Sequence, residues 1–198
     1  LGVVGVLLFL ALAAGAGALY RDLYSPSAFV RDYLELLEDH RAAEALAVPG
    51  VAIDAADLEA AGLPATASEA LLRPDALSVL SDAEVVDEQT DGDLTRVSVT
   101  YRAGGHDGRT TFAVQSDASG SLLPRWRFAT SPLAVVDLSV RGSMRFSVNG
   151  FEIDKRQVSV DQADADPSAA VPLLVFSPGL YSVSVDTPLN TVIINVSV

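Results

Sequence analysis

The sequence predicts an α+β protein in three parts: an apolar N-terminal helix, helices on one face of an antiparallel sheet, and a small all-β module. Three observations predict it. Leu1 to Tyr20 contains no charged residue. Between Ser25 and Ser131, apolar residues first recur at helical spacing and then alternate with polar ones. From Pro132 to Val198 the alternation continues with no helical stretch. The expected boundaries are therefore 1–20, 25–131 and 132–198.

Composition narrows the function classes. The 198 residues suffice for one or two small domains. Asp and Glu number 26 against 13 Lys and Arg, and all of the resulting charge of −13 falls from Arg21 onward. Such a chain repels nucleic-acid phosphates, which excludes a nucleic-acid partner. Without cysteine, it can form no disulfide, thiolate nucleophile or thiolate metal site. Arginine replaces lysine almost everywhere, Lys155 being the sole lysine, and alanine and valine abound. That usage points to a GC-rich bacterial coding sequence.

Leu1 to Tyr20 has the length of a membrane span: at 1.5 Å per residue, about 20 helical residues cover the roughly 30 Å hydrocarbon core. Tyr20 and Tyr24 suit the interface, with Arg21 and Asp22 between them. A secretory signal is the competing reading, with Leu1–Leu12 as its apolar part and Ala14-Gly15-Ala16 as a small-residue cleavage site. The acidic, lysine-poor flank after Tyr20 places the rest of the chain outside the cytoplasm.

Ser25-Pro26 is a helix start, a capping hydroxyl followed by proline at the first helical position. Val30, Tyr33, Leu34 and Leu37 then form one apolar helix face. Asp39 is read as the cap of an alanine-rich helix through Ala42, Leu46 and Ala47, ended by Pro49-Gly50. Asp54 and Asp57 open a short helix closed by Gly62 and Pro64, and Glu69–Leu72 adds a further turn. Period two begins at Arg96, with Val97, Val99 and Tyr101 on one face. A glycine-rich turn at Gly104–Gly108 leads to a partner strand over Thr110–Gln115, and a third strand runs near Trp126 and Phe128.

This order resembles the nuclear-transport-factor-two-like, or cystatin-like, domains of small bacterial membrane proteins. Phe29–Leu34, Ala42–Leu46, Arg96–Tyr101 and Arg125–Phe128 carry the likeness. The resemblance implies a cone of helices on a curved antiparallel sheet. Enzymes of that family place a carboxylate, tyrosine or histidine inside the cone. Here His106 falls in the glycine-rich turn and His40 at a helix junction, while Tyr33 and Tyr101 fall on core faces. No nucleophile elbow, phosphate loop or metal-spaced histidine pair occurs. The expectation is a protein without catalytic residues, metal or cofactor.

Alternation puts Arg96, Arg102, Arg125 and Arg127 together on the outward sheet face of an acidic protein. Guanidinium groups on a flat sheet receive carboxylates or phosphates, so these four are the candidate ligand-binding residues. The competing reading pairs them with nearby acids such as Glu84 or Asp87 on a solvated face.

After Pro132, Val136, Leu138 and Val140 alternate with polar residues. Met144, Phe146 and Val148 run into Asn149-Gly150, a two-residue hairpin signal that pairs Val148 with Phe151 and Phe146 with Ile153. Val158 and Val160 suggest another strand; Tyr181–Val185 and Val192–Val198 two more. Phe146–Phe151 with Ser177–Val183 is similar to the PEGA-like modules of bacterial surface proteins, including zinc-ribbon membrane proteins linked to glycopeptide response. Asp161, Asp164 and Asp166 match no calcium-loop spacing and read as a solvated acidic loop. Together these features predict a single-pass, extracytoplasmic binding or scaffolding protein of the cell envelope. Its expected partners are the membrane and an anionic envelope component or protein. A small-ligand carrier or enzyme using the cone interior is the alternative.

Overall fold

The computed structural model describes residues 23–52, 54, 56, 58, 64–117, 125–140, 143–158, 170–186 and 191–198. Ser25 caps α1 (Pro26–Glu38), its hydroxyl accepting from the Ala28 amide at 3.0 Å. The buried face of α1 is Val30, Tyr33, Leu34 and Leu37, the stripe read from the sequence. It lies on a sheet of strands β1 (Leu80–Asp91), β2 (Leu94–Ala103), β3 (His106–Asp117) and β4 (Arg125–Phe128), antiparallel and in chain order.

The α+β expectation does not hold: the described chain is mostly β, with no cone of helices on a curved sheet. The reason is local. Asp39 ends α1 and does not cap its successor. The alanine-rich helix α2 (Ala42–Ala47) has six residues, and Arg41 at its start offers no side-chain cap. A helix that short cannot stand as a layer. Gly50 stops it at φ +83°, and a Cβ there would lie 2.4 Å from the Phe128 carbonyl oxygen, so only glycine fits. Glu69–Leu71 and Pro74–Ala76 are single 3-10 turns. Strands fill the space instead, β1 and β3 each running for 12 residues.

Among the described residues, no helix is long and apolar enough to cross a membrane. The proposed span Leu1–Tyr20 lies outside those residues, as do the acidic loop at Asp161–Asp166 and most of the helix expected after Asp54.

The second half begins with β5 (Leu133–Leu138), followed by β6 (Arg145–Val148) and β7 (Phe151–Asp154). Asn149 and Gly150 take φ +50° and +85°, the primed turn that matches strand twist, and Val148 pairs Phe151 while Phe146 pairs Ile153. The strand expected near Val158 is replaced by one helical turn, α3 (Lys155–Val158). Then come β8 (Val171–Phe176), β9 (Leu180–Asp186) and β10 (Thr191–Ser197). β10, β9, β6 and β7 form one sheet in that order, and β5 with β8 a two-stranded ribbon.

That ribbon joins two hydrophobic cores. Leu174 and Phe176 of β8 pack with Tyr33, Phe112 and Phe128; Leu173 and Val175, the alternate residues, pack with Phe146, Val148 and Tyr181. β5 divides likewise, Leu133 to the first core and Val136 and Leu138 to the second. The segment before β1 also crosses over, since Leu71 and Ala76 belong to the second core and Leu77 to the first. Ser68 clamps the ribbon from outside, its amide donating to the Pro172 carbonyl at 2.8 Å and its carbonyl accepting from Leu174 at 2.9 Å.

Candidate functional site

Register decides what the outer face of the β1–β4 sheet displays. The inner face of β2 is Val97, Val99, Tyr101 and Ala103, all buried against α1. The outer face therefore carries Arg96 and Arg102, both exposed, with Ser98 and Thr100 between them. Directly across on β3 stand Ala113, Thr111, Arg109 and Asp107. On β4, Arg125 faces Asp117 and Arg127 faces Gln115. The four arginines read from the sequence thus share one face, joined by a fifth, Arg109.

They are not equivalent. Arg102 is bound to Asp107, Nε to Oδ1 at 3.0 Å. With both side chains more than half exposed, that pair adds little to stability. Its acid is Asp107, not Glu84 or Asp87. Arg125 has Asp117 opposite it on the ladder. Arg96 and Arg127 have no carboxylate opposite: their cross-strand neighbours are Gln89 and Ala113 for Arg96, and Gln115 for Arg127. Among the described residues, Arg96, Arg109, Arg125 and Arg127 make no ion pair. Besides Asp107 and Asp117, acids of this face lie on edge strand β1, where Glu84, Asp87 and Asp91 stand opposite Thr100, Ser98 and Leu94.

Arg96 and Arg127 flank β3 diagonally, Arg96 beside Ala113 and Arg127 beside Gln115, two residues further along the strand. Two strand spacings and a two-residue offset put their backbones about 12 Å apart. That span suits one anionic group held from both sides, or two along an extended partner. Ser98 and Thr111 close the neighbouring floor with a hydroxyl pair at 2.9 Å.

The interior under this sheet is filled. Tyr33, Phe112 and Phe128 meet with ring centroids 5.0 to 6.0 Å apart, and Phe29 tilts against Phe128 at 5.0 Å. The Tyr33 hydroxyl donates to the Ser177 carbonyl at 3.0 Å. Burial, with the neighbouring Tyr181 second, holds the Tyr33 phenol well above its ordinary pKa. His106 is exposed at the start of β3, and His40, at φ +57°, has Nδ1 3.2 Å from the Glu38 carbonyl. His40 also borders an open cleft of about 590 Å³ floored by Leu77, Val79 and Leu180. The Asn149 amide at that cleft is occupied by the Ala76 carbonyl and the Ser182 amide. Among the described residues no buried side-chain polar atom lacks a partner, and no group of acids and histidines is arranged to hold a metal.

Two features escaped the sequence reading. Arg109 was hidden because β3 starts at His106, inside the stretch read as a turn. Lys155 is buried at the head of α3, its ammonium donating to the Val140 carbonyl. Compared with family models, curated proteins and solved structures, the chain matches none.

Proposed function

We propose that this chain is a non-catalytic binding or scaffolding protein of the bacterial cell envelope. Leu1–Tyr20 tethers it to the membrane, and the outer face of the β1–β4 sheet takes an anionic partner. The observation that carries the reading is the pair Arg96 and Arg127, exposed on one sheet face with Gln89, Ala113 and Gln115 opposite them and no carboxylate. Carboxylate or phosphate is the chemistry that fits two such guanidinium groups. The interior of the first core is a poorer candidate, because aromatic rings occupy it and the fully buried hydroxyl of Tyr33 already donates to a carbonyl.

The test is recovery of a partner from envelope extract by wild type and by the double variant Arg96→Ser, Arg127→Ser, at low and at high salt. Both side chains are exposed, so the variant should fold normally, within about 0.5 kcal/mol of wild type. The expected result is capture by wild type at low salt, lost in high salt and lost in the variant. Equal recovery of the same partner by both proteins removes this face from consideration.

A further inference from the structure

We propose that Leu23, Tyr24 and Trp126 form a seat resting in the zwitterionic headgroup layer of the bilayer that carries the chain. The domain then docks on its own membrane through the N-terminal end of α1 and strand β4. The inference depends on the tether proposed above.

The geometry permits the contact. The apolar run ends at Tyr20, and four residues of fully extended chain reach at most about 14 Å to Tyr24. The indole Nε1 of Trp126 donates to the Tyr24 carbonyl at 2.8 Å. If Tyr20 sits at the edge of the hydrocarbon, Trp126 therefore lies within roughly 20 Å of that edge, a reach that includes the interfacial layer about 5 to 8 Å thick. The residues at this end have interfacial character. Leu23 is 59% and Tyr24 39% exposed. Trp126 packs one side against the first core and leaves the rest open. Tryptophan and tyrosine with one wet end are the side chains that settle at a bilayer interface.

Charge selects the kind of lipid. Arg125 and Arg127 flank Trp126, but Arg125 stands opposite Asp117. The same end of the sheet carries Glu88, which accepts from the Ser27 hydroxyl at the start of α1, and the turn acids Asp91 and Asp93. An anionic surface would be repelled as much as attracted there, whereas a zwitterionic headgroup matches both signs.

Trp126 is the only tryptophan, so all tryptophan emission reports on this seat. The experiment places the full chain in phosphatidylcholine vesicles brominated either near the carbonyl end or near the methyl end of the acyl chains. Flotation is measured on the same samples. The expected result is flotation with the vesicles, with quenching stronger from the bromine near the carbonyl end. The double variant Leu23→Ser, Tyr24→Ser should float equally but lose most of that quenching. The indole bond goes to a main-chain carbonyl, so the variant keeps it. A chain that floats without quenching by either label overturns the seat while leaving the tether standing. Quenching that appears only when anionic lipid is added also overturns it, in favour of an electrostatic contact through the arginines. A chain that does not float removes the tether and the seat together.

Discussion

Tyr33 ties the two halves of the molecule at the level of a single residue. Its ring meets Phe112 and Phe128 edge-on in the first core, and its hydroxyl reaches the Ser177 carbonyl just after β8. Because burial keeps the phenol neutral, the native state holds this proton after the unfolded chain, titrating near pH 10, has lost it. The unfolded state then binds fewer protons, so stability is intact below about pH 10 and falls above it, by up to about 1.4 kcal/mol per pH unit for each such tyrosine. Tyr181, buried and bonded to the Phe176 carbonyl at 2.9 Å, acts in the same direction. Denaturant unfolding between about pH 8 and pH 12 should show this slope, and Tyr33→Phe should remove one proton's share of it. The variant also loses about 0.5 to 1.5 kcal/mol at neutral pH with the hydrogen bond. An unchanged alkaline slope in Tyr33→Phe would place the titrating group elsewhere. Periodicity alone located Tyr33, Val97, Val99, Tyr101 and Phe128 in the core, because each sits on the apolar side of a regular element. Trp126 fits less well: it shares the inner face with Phe128 but lies at the rim, where the core ends.

At the scale of elements, the β6–β7 hairpin is where local chemistry and tertiary contacts agree most closely. Asn149 supplies the positive φ that the primed turn needs, and its side chain then ties that turn to the 3-10 turn at Ala76 and to β9. Nδ2 donates to the Ala76 carbonyl at 3.0 Å, and Oδ1 accepts from the Ser182 amide at 2.9 Å. Asn149→Ala should therefore cost about 1 to 3 kcal/mol through unsatisfied partners. Asn149→Asp keeps the acceptor and the left-handed preference but sets a carboxylate oxygen against the Ala76 carbonyl, so it should also destabilise. Equal melting temperatures for Asn149→Ala and wild type would show that the clamp contributes nothing. The hairpin, α1, β2 and β3 were legible because each is amphipathic with one clean period. β1 was not, since two register shifts break its alternation and Glu84, Asp87, Glu88 and Asp91 give it the charge of a loop. Such acids on an edge strand discourage pairing with another chain. β8 was missed for the opposite reason. Val171–Phe176 is apolar nearly throughout because it faces a core on both sides, and Pro172 reads as a breaker. The candidate site was legible by parity alone, four arginines at odd spacing from buried neighbours. Its division into paired and unpaired members depends on cross-strand register with Asp107 and Asp117, which no single strand reveals.

For the molecule as a whole, the shared ribbon predicts one cooperative unit in place of two independent modules. Adjacent residues of β8 serve different cores: Leu173, fully buried, belongs to the second, and Leu174 to the first. Neither core can lose β8 without stripping the other of Leu174 and Phe176 or of Leu173 and Val175. Tyr33 and Ser68 add hydrogen bonds across the same junction. Trp126 emission reports only on the first core, against which its ring packs. Leu173→Ala, a cavity in the second core, should nevertheless shift the unfolding transition seen by Trp126. The expected destabilisation is about 2 to 5 kcal/mol, with the transition remaining single. Far-ultraviolet circular dichroism, dominated by both sheets, should move with it point for point. A Trp126 transition that stays in place while part of the dichroism melts earlier would mean that the two cores unfold separately. In that case the ribbon would be a hinge between domains and not their common strand pair.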